Sequence, residues 1–130
     1  MPPRKTPAWL ATISASVVDD ATCPNNGAKL FTIPTQLGTL SSLVSLELYN
    51  AAVTGTIPTQ LGLLQQITKQ FQLASNELTS AIPTELGNMQ SLTQGFQIVG
   101  NKLTGPVPSE LGQMTGFTFS FSLHSNELTR

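Results

Sequence analysis

The chain has 130 residues, room for one domain or a short repeat array of four or five coils. Only 10% of residues are charged and the formal net charge is −1, which excludes the basic footprint of a nucleic-acid or anionic-membrane binder. A single cysteine, Cys23, excludes an intrachain disulfide and any cysteine-based metal cluster, and no run approaches the roughly 20 apolar residues of a membrane-spanning helix.

Residues 1–32 fit no repeat. A basic start (Arg4, Lys5) leads into a mildly apolar stretch with Trp9, Leu10, Ile13, Val17 and Val18, then Asp19 and Asp20. Three readings stay open for this segment: a weak secretory signal, an irregular N-terminal cap over the first coil, or a tail.

From Ile33 to Arg130 the chain repeats itself. The stretch L-A-S-N-E-L-T-S-A-I-P-T-E-L-G-N-M (Leu73–Met89) returns as I-V-G-N-K-L-T-G-P-V-P-S-E-L-G-Q-M (Ile98–Met114), with a looser copy at Leu48–Leu64 and a partial one from Leu123. The prolines at 34, 58, 83 and 108 are 24, 25 and 25 residues apart. A fixed period of this length is the mark of a solenoid and outranks any local helix or strand assignment.

The columns can be read down the repeats. Leu43, Ile67, Leu92 and Phe117 form one apolar column; Leu46, Phe71, Phe96 and Phe121 a second; Leu48, Leu73, Ile98 and Leu123 a third. Val53, Leu78, Leu103 and Leu128 follow, then Ile57, Ile82 and Val107, then Leu37, Leu61, Leu86 and Leu111, and finally Leu40, Leu64, Met89 and Met114. About seven inward side chains per coil cannot be buried alone but make one core when stacked. The period-2 stretches Leu46–Leu48, Phe71–Leu73, Phe96–Ile98 and Phe121–Leu123 predict short parallel strands. Each Pro-Thr-Gln/Glu-Leu-Gly (Pro-Ser-Glu-Leu-Gly in the last) predicts a turn of helix opened by proline at its first position. The glycine column (Gly38, Gly62, Gly87, Gly112) is expected to stop the turn or supply a backbone angle other residues adopt poorly.

The pattern L-x-x-L-x-x-L-x-L-x-x-N-x-L-T-G-x-I-P-x-x-L-G over Ile33–Arg130 resembles the plant-type leucine-rich repeat family, found in receptor-kinase ectodomains and polygalacturonase inhibitors. The resemblance implies an α/β right-handed solenoid of about four coils, with short parallel strands on the concave face and short helical turns on the convex one. It also implies a binding protein and not an enzyme, without a cofactor, and an extracellular or cell-surface location. Departures are clear. The later coils carry one extra residue before the strand (Ile67-x-x-x-Phe71 against Leu43-x-x-Leu46), expected to form a bulge. Cys23 lacks the partner of the family's paired-cysteine cap, and the chain stops mid-repeat at Arg130. An open final coil with Phe117, Phe121, Leu123 and Leu128 raises two expectations: self-association through that coil, or a fragment of a longer receptor.

Candidate chemistry is sparse, with no catalytic and no metal-binding set. Asn76, Asn101 and Asn126 recur just after the strand and are read as a structural ladder tying loop backbone groups together, with Ala51 in their place in the first full coil. Glu85 and Glu110 share a column with Gln36 and Gln60, which argues for repetition and against paired acid–base chemistry. Glu77, Lys102 and Glu127 stack as acid, base, acid. The expected concave, outward residues are Glu47, Tyr49, Gln70, Gln72, Gln97, Val99, Ser122 and His124. They make a neutral, amide-rich face suited to a protein or peptide ligand. The alternative is an ice- or glycan-binding surface built on Thr and Gln ladders, such as Thr54/Thr79/Thr104/Thr129 and Thr35/Thr59/Thr84/Ser109.

Overall fold

The computed structural model describes residues 31–130; of the irregular signal, cap or tail expected over 1–32, residues 1–30 lie outside them, and Phe31–Thr32 are not irregular but form a strand paired to the repeat. Within that range the chain passes four times through the same elements: a five-residue 3-10 helix, a short strand, then a second strand. The 3-10 helices are Thr35–Thr39, Thr59–Leu63, Thr84–Asn88 and Ser109–Gln113. The strands are β1 (Phe31–Thr32), β2 (Leu46–Glu47), β3 (Val53–Thr56), β4 (Gln70–Gln72), β5 (Glu77–Ala81), β6 (Gly95–Gln97), β7 (Lys102–Pro106), β8 (Ser120–Ser122) and β9 (Glu127–Thr129).

They form two parallel sheets. The four-stranded sheet, β2-β4-β6-β8, is the one the period-2 pattern announces; its last three strands begin one residue earlier than expected. The register Leu46↔Phe71↔Phe96↔Phe121 carries the repeat from coil to coil. The extra residue of the later coils is taken up at the start of the strand, where the Val44 carbonyl accepts from both Thr68 N–H (3.1 Å) and Lys69 N–H (3.0 Å). A five-stranded sheet, β1-β3-β5-β7-β9, was not foreseen. β3, β5 and β7 bury one side chain each, and β3 and β7 contain Gly55 and Gly105-Pro106, so no alternation marks them.

Between the sheets and the 3-10 turns the apolar columns close into one core. Leu43, Leu46, Leu48, Val53, Leu61, Ile67, Phe71, Leu73, Leu78, Leu86, Leu92, Phe96, Ile98 and Leu103 are fully buried. Phe71 and Phe96 stack with ring centroids 5.2 Å apart, and Phe96 and Phe121 at 5.3 Å. Two residues assigned inward depart from that expectation: Phe121 and Val107 are each 43% exposed, because no further coil packs on them among the described residues.

Two local expectations are corrected. The prolines are not the first helical residues but stand one position before, extended (φ −75 to −61°, ψ 132 to 141°), each offering its carbonyl to the leucine three residues on. The glycines at 38, 62 and 87 do not serve through backbone angle, since none has a positive φ. They serve through size. A Cβ there would collide with the backbone carbonyl of Gln60, Glu85 and Glu110 respectively, one coil further on. Left-handed backbone lies elsewhere, at Asn50, Ser75, Gly100 and Ser125 just after each first strand, and at Gly55, Ser80 and Gly105 inside the second.

Two substitutions test the stacking. Gly62→Ala should cost about 1–3 kcal/mol by forcing the coils apart, whereas Gly112→Ala, with nothing within 4 Å of the added methyl, should be neutral or slightly stabilising. Phe96→Ala should cost about 3–5 kcal/mol. Urea denaturation reads all three; equal midpoints for the two glycine variants would refute close coil contact as the reason for the column.

Candidate ligand-recognition face

The outer side of the four-stranded sheet is built by geometry alone. In a strand, side chains alternate between faces, so burying Leu46, Phe71 and Phe96 turns their neighbours outward. Register then aligns Glu47, Gln72, Gln97 and Ser122 in one row, and Gln70, Gly95 and Ser120 in another. Backbone bonds past the strand ends, Asn50 N–H to Ala74 O (3.0 Å), Ser75 N–H to Val99 O (2.8 Å) and Gly100 N–H to His124 O (3.2 Å), hold Tyr49, Val99 and His124 in a third column. All eight residues expected on this face therefore share one surface.

These polar side chains are ordered by one another. Gln72 Nε2 donates to Gln97 Oε1 at 3.1 Å, and Gln97 Nε2 donates to Ser120 Oγ at 3.1 Å. Ser45, buried at the start of the same sheet, places its hydroxyl 3.0 Å from Glu47 Oε1. Ser120 belongs to the network and Ser45 forms a separate pair with Glu47; their place in the column beside Gln70 is the signal for both. Gln70 is the exception: its Oε1 lies over Gly95, buried and without a hydrogen-bond partner. His124 is exposed, its Nδ1 3.1 Å from Ser125 Oγ.

Beneath this face the asparagines join coil to coil. Asn101 Oδ1 accepts from Leu78 N–H (3.0 Å), while its Nδ2 donates to Leu73 O in the previous coil (2.9 Å) and Ile98 O in its own (3.1 Å). Asn76 makes the equivalent bonds to Ala51 N–H, Val53 N–H, Leu48 O and Leu73 O, and Asn126 those to Leu103 N–H, Ile98 O and Leu123 O. At Ala51 no amide is present to reach back.

Other candidates stay apart. Glu85 is exposed and Glu110 half-buried, each beside the hydroxyl of the preceding Thr84 or Ser109. Of the acid–base–acid stack, one bridge forms among the described residues, Lys102 Nζ to Glu77 Oε2 at 3.4 Å between well-exposed side chains. Such a pair contributes at most about 1 kcal/mol. The threonine column Thr54/Thr79/Thr104/Thr129 is not a cross-strand row. The second sheet shifts by two residues per strand, so Thr54 pairs with Glu77, Thr79 with Lys102 and Thr104 with Glu127. No group of three or more His, Cys, Asp or Glu able to hold a metal occurs among the described residues.

Among the described residues nine parallel strands in two sheets, joined by 3-10 turns on a 24–25-residue period, make this a leucine-rich repeat solenoid. No protein-family model and no curated protein matches the chain. Solved structures do. The ectodomain of the receptor kinase GASSHO1/SCHENGEN3 from Arabidopsis thaliana, in complex with CASPARIAN STRIP INTEGRITY FACTOR 2, is similar at 36% identity and TM-score 0.72, over 76% of this chain and 12% of that one. A plant ice-binding protein is similar at 30% identity and TM-score 0.68, over 76% of this chain and 31% of that one. The plant peptide hormone receptor RGFR1 in complex with RGF2 is similar at 26% identity and TM-score 0.67, over 87% of this chain and 19% of that one. The chain thus spans less than a third of the length of each of these structures, and over that span its repeats are of the plant-type leucine-rich kind.

The asparagine ladder is what keeps the face in register, and its removal is measurable. Asn101→Ala leaves the buried Leu78 N–H without its acceptor and takes one of two amide donors from Leu73 O and Ile98 O, and should lower stability by about 2–3 kcal/mol. Gln72→Ala, at a half-buried position where water replaces the lost bond, should stay within about 1 kcal/mol of the parent. Chemical denaturation separates them; an Asn101→Ala midpoint equal to that of Gln72→Ala would show the ladder to be dispensable.

Proposed function

We propose that the chain is a non-enzymatic recognition module that binds a protein or peptide along the outer face of the four-stranded sheet, the face the family resemblance makes concave. Residues 33–130 are the recognising array in this reading, and the segment before them is its cap or tail, whose last two residues, Phe31–Thr32, join the five-stranded sheet. The observation that carries it is the pre-ordered row Gln72–Gln97–Ser120, flanked by Glu47, Tyr49, Gln70, Val99, Ser122 and His124. Side chains already held in place lose little entropy on binding. Carboxamides offer the donor and acceptor pair that a peptide backbone needs. The complexes formed by the similar receptors GASSHO1/SCHENGEN3 and RGFR1 support a protein or peptide as the ligand class.

Likeness to the plant ice-binding protein favours one second reading, in which the threonine-bearing outer face of the five-stranded sheet orders water. It is the weaker one, because the two-residue shift breaks the threonine column and sets Glu77, Lys102 and Glu127 between its members. Thermal hysteresis of the purified chain measures it directly.

Peptides selected from a random library on the immobilised chain test the main reading. Gln72→Arg plus Gln97→Arg should weaken the selected peptides at least about tenfold while leaving the melting curve intact. Glu85→Gln plus Glu110→Gln, on the 3-10 turns, should leave affinity unchanged. The opposite outcome, with the glutamate pair decisive, would reject the sheet as the binding face.

A further inference from the structure

Among the described residues the carboxamides are used in different ways. The asparagines of the ladder are buried and bonded to backbone, and Gln72 and Gln97 bond each other. In the turns after the second and third 3-10 helices the amides do neither. Gln65, Gln66, Asn88, Gln90 and Ser91, all exposed, line an open, polar cleft of about 340 Å³ between two successive coils. Only their backbone is engaged, Gln65 N–H to Leu63 O and Gln90 N–H to Asn88 O, both at 2.9 Å. None of the five side chains is bonded to another described residue. The repeat does not demand this chemistry, since the corresponding pairs in the first and last coils are Ser41–Ser42 and Thr115–Gly116.

We propose that this cleft is a second binding site, for a short neutral oligosaccharide. A carboxamide presents a donor and an acceptor side by side, the pairing that adjacent sugar hydroxyls require. Four carboxamides and a hydroxyl converge here with no charged side chain in the lining, so nothing selects a uronate, a phosphate or an amino sugar. A peptide suits the cleft less well, because its side chains call for the apolar pockets this lining lacks. The site lies on the turns, away from the sheet face, and stands or falls independently of the peptide reading.

The probes are cellotetraose and maltotetraose, with tetragalacturonate as the charged control. Titration followed by the side-chain amide NMR signals should give saturable shifts at Gln65, Gln66, Asn88 and Gln90 with at least one neutral sugar, and none at Gln72 or Gln97. The double variant Gln65→Ala plus Gln90→Ala, at exposed positions, should weaken binding at least about tenfold with unchanged backbone spectra. Three results would each overturn the proposal: no saturable shift with either neutral sugar, tighter binding of tetragalacturonate, or shifts centred on the sheet glutamines. The parent protein alone decides these three, so the proposal remains testable should the variant misfold.

Discussion

Everything in this solenoid depends on how closely one coil approaches the next. Parallel strands in a sheet stand about 4.8 Å apart, and two sheets on different sides of the coil impose that spacing along its whole perimeter. The turns must match it. They do so because Gly38, Gly62 and Gly87 leave room for the carbonyl of the following coil, where any side chain would wedge the turns apart while the sheets held them together. The phenylalanine column obeys the same limit: centroids 5.2 and 5.3 Å apart, with planes inclined by only 12° and 16°, are what rings must do when stacked at strand spacing. The edge-on contact of Phe117 with Phe121, by contrast, occurs between side chains of one coil, where the repeat does not constrain them.

Close stacking has a polar consequence. Each coil turns back on itself after its first strand through a left-handed residue, and the loop leaves backbone groups inside the molecule with no strand partner. Asparagine solves this because one short side chain carries an acceptor and two donors. It bonds its own coil and the previous one, so the loops are joined as firmly as the strands. Glutamine, one methylene longer, reaches past the backbone to the glutamine of the next coil on the sheet face. On the turns, where neighbouring amides are not paired, it is left to the solvent or to a ligand.

Much of this was legible in the sequence, for physical reasons that differ between elements. The apolar columns and the first sheet could be read because a period-2 stretch such as Phe71-Gln72-Leu73 admits few alternatives. The asparagine ladder was legible because a buried loop demands that chemistry. The second sheet was hidden, since strands such as Lys102–Pro106 contain proline and glycine and bury a single leucine; their pairing follows from the stacking and not from local preference. The glycine column was recognised as special but for the wrong reason, because a single chain does not reveal whether a glycine is there for its backbone angle or for its lack of a side chain. Only the neighbouring coil decides that. The face expected to bind was legible as a surface. Its hydrogen-bonded order was not, because Gln97 meets Ser120 and not its column-mate Ser122, a difference of two residues that rotamers settle.

The four coils also serve as one another's comparison. Inward positions scarcely vary, since leucine, isoleucine, valine, methionine or phenylalanine must fill the same stacked volume. Outward positions vary freely: Ser45, Gln70, Gly95 and Ser120 in one column, Glu47, Gln72, Gln97 and Ser122 in the next, and Ser41–Ser42, Gln65–Gln66, Gln90–Ser91 and Thr115–Gly116 on the turns. Stacking constrains the first set and is indifferent to the second, so whatever distinguishes the surface of this array from a bare repetition is written in the second. With only 10% of residues charged, that difference is expressed as hydrogen-bonding pattern and not as field. A ligand that reads it must come into contact, because no long-range attraction of appreciable size reports it from a distance.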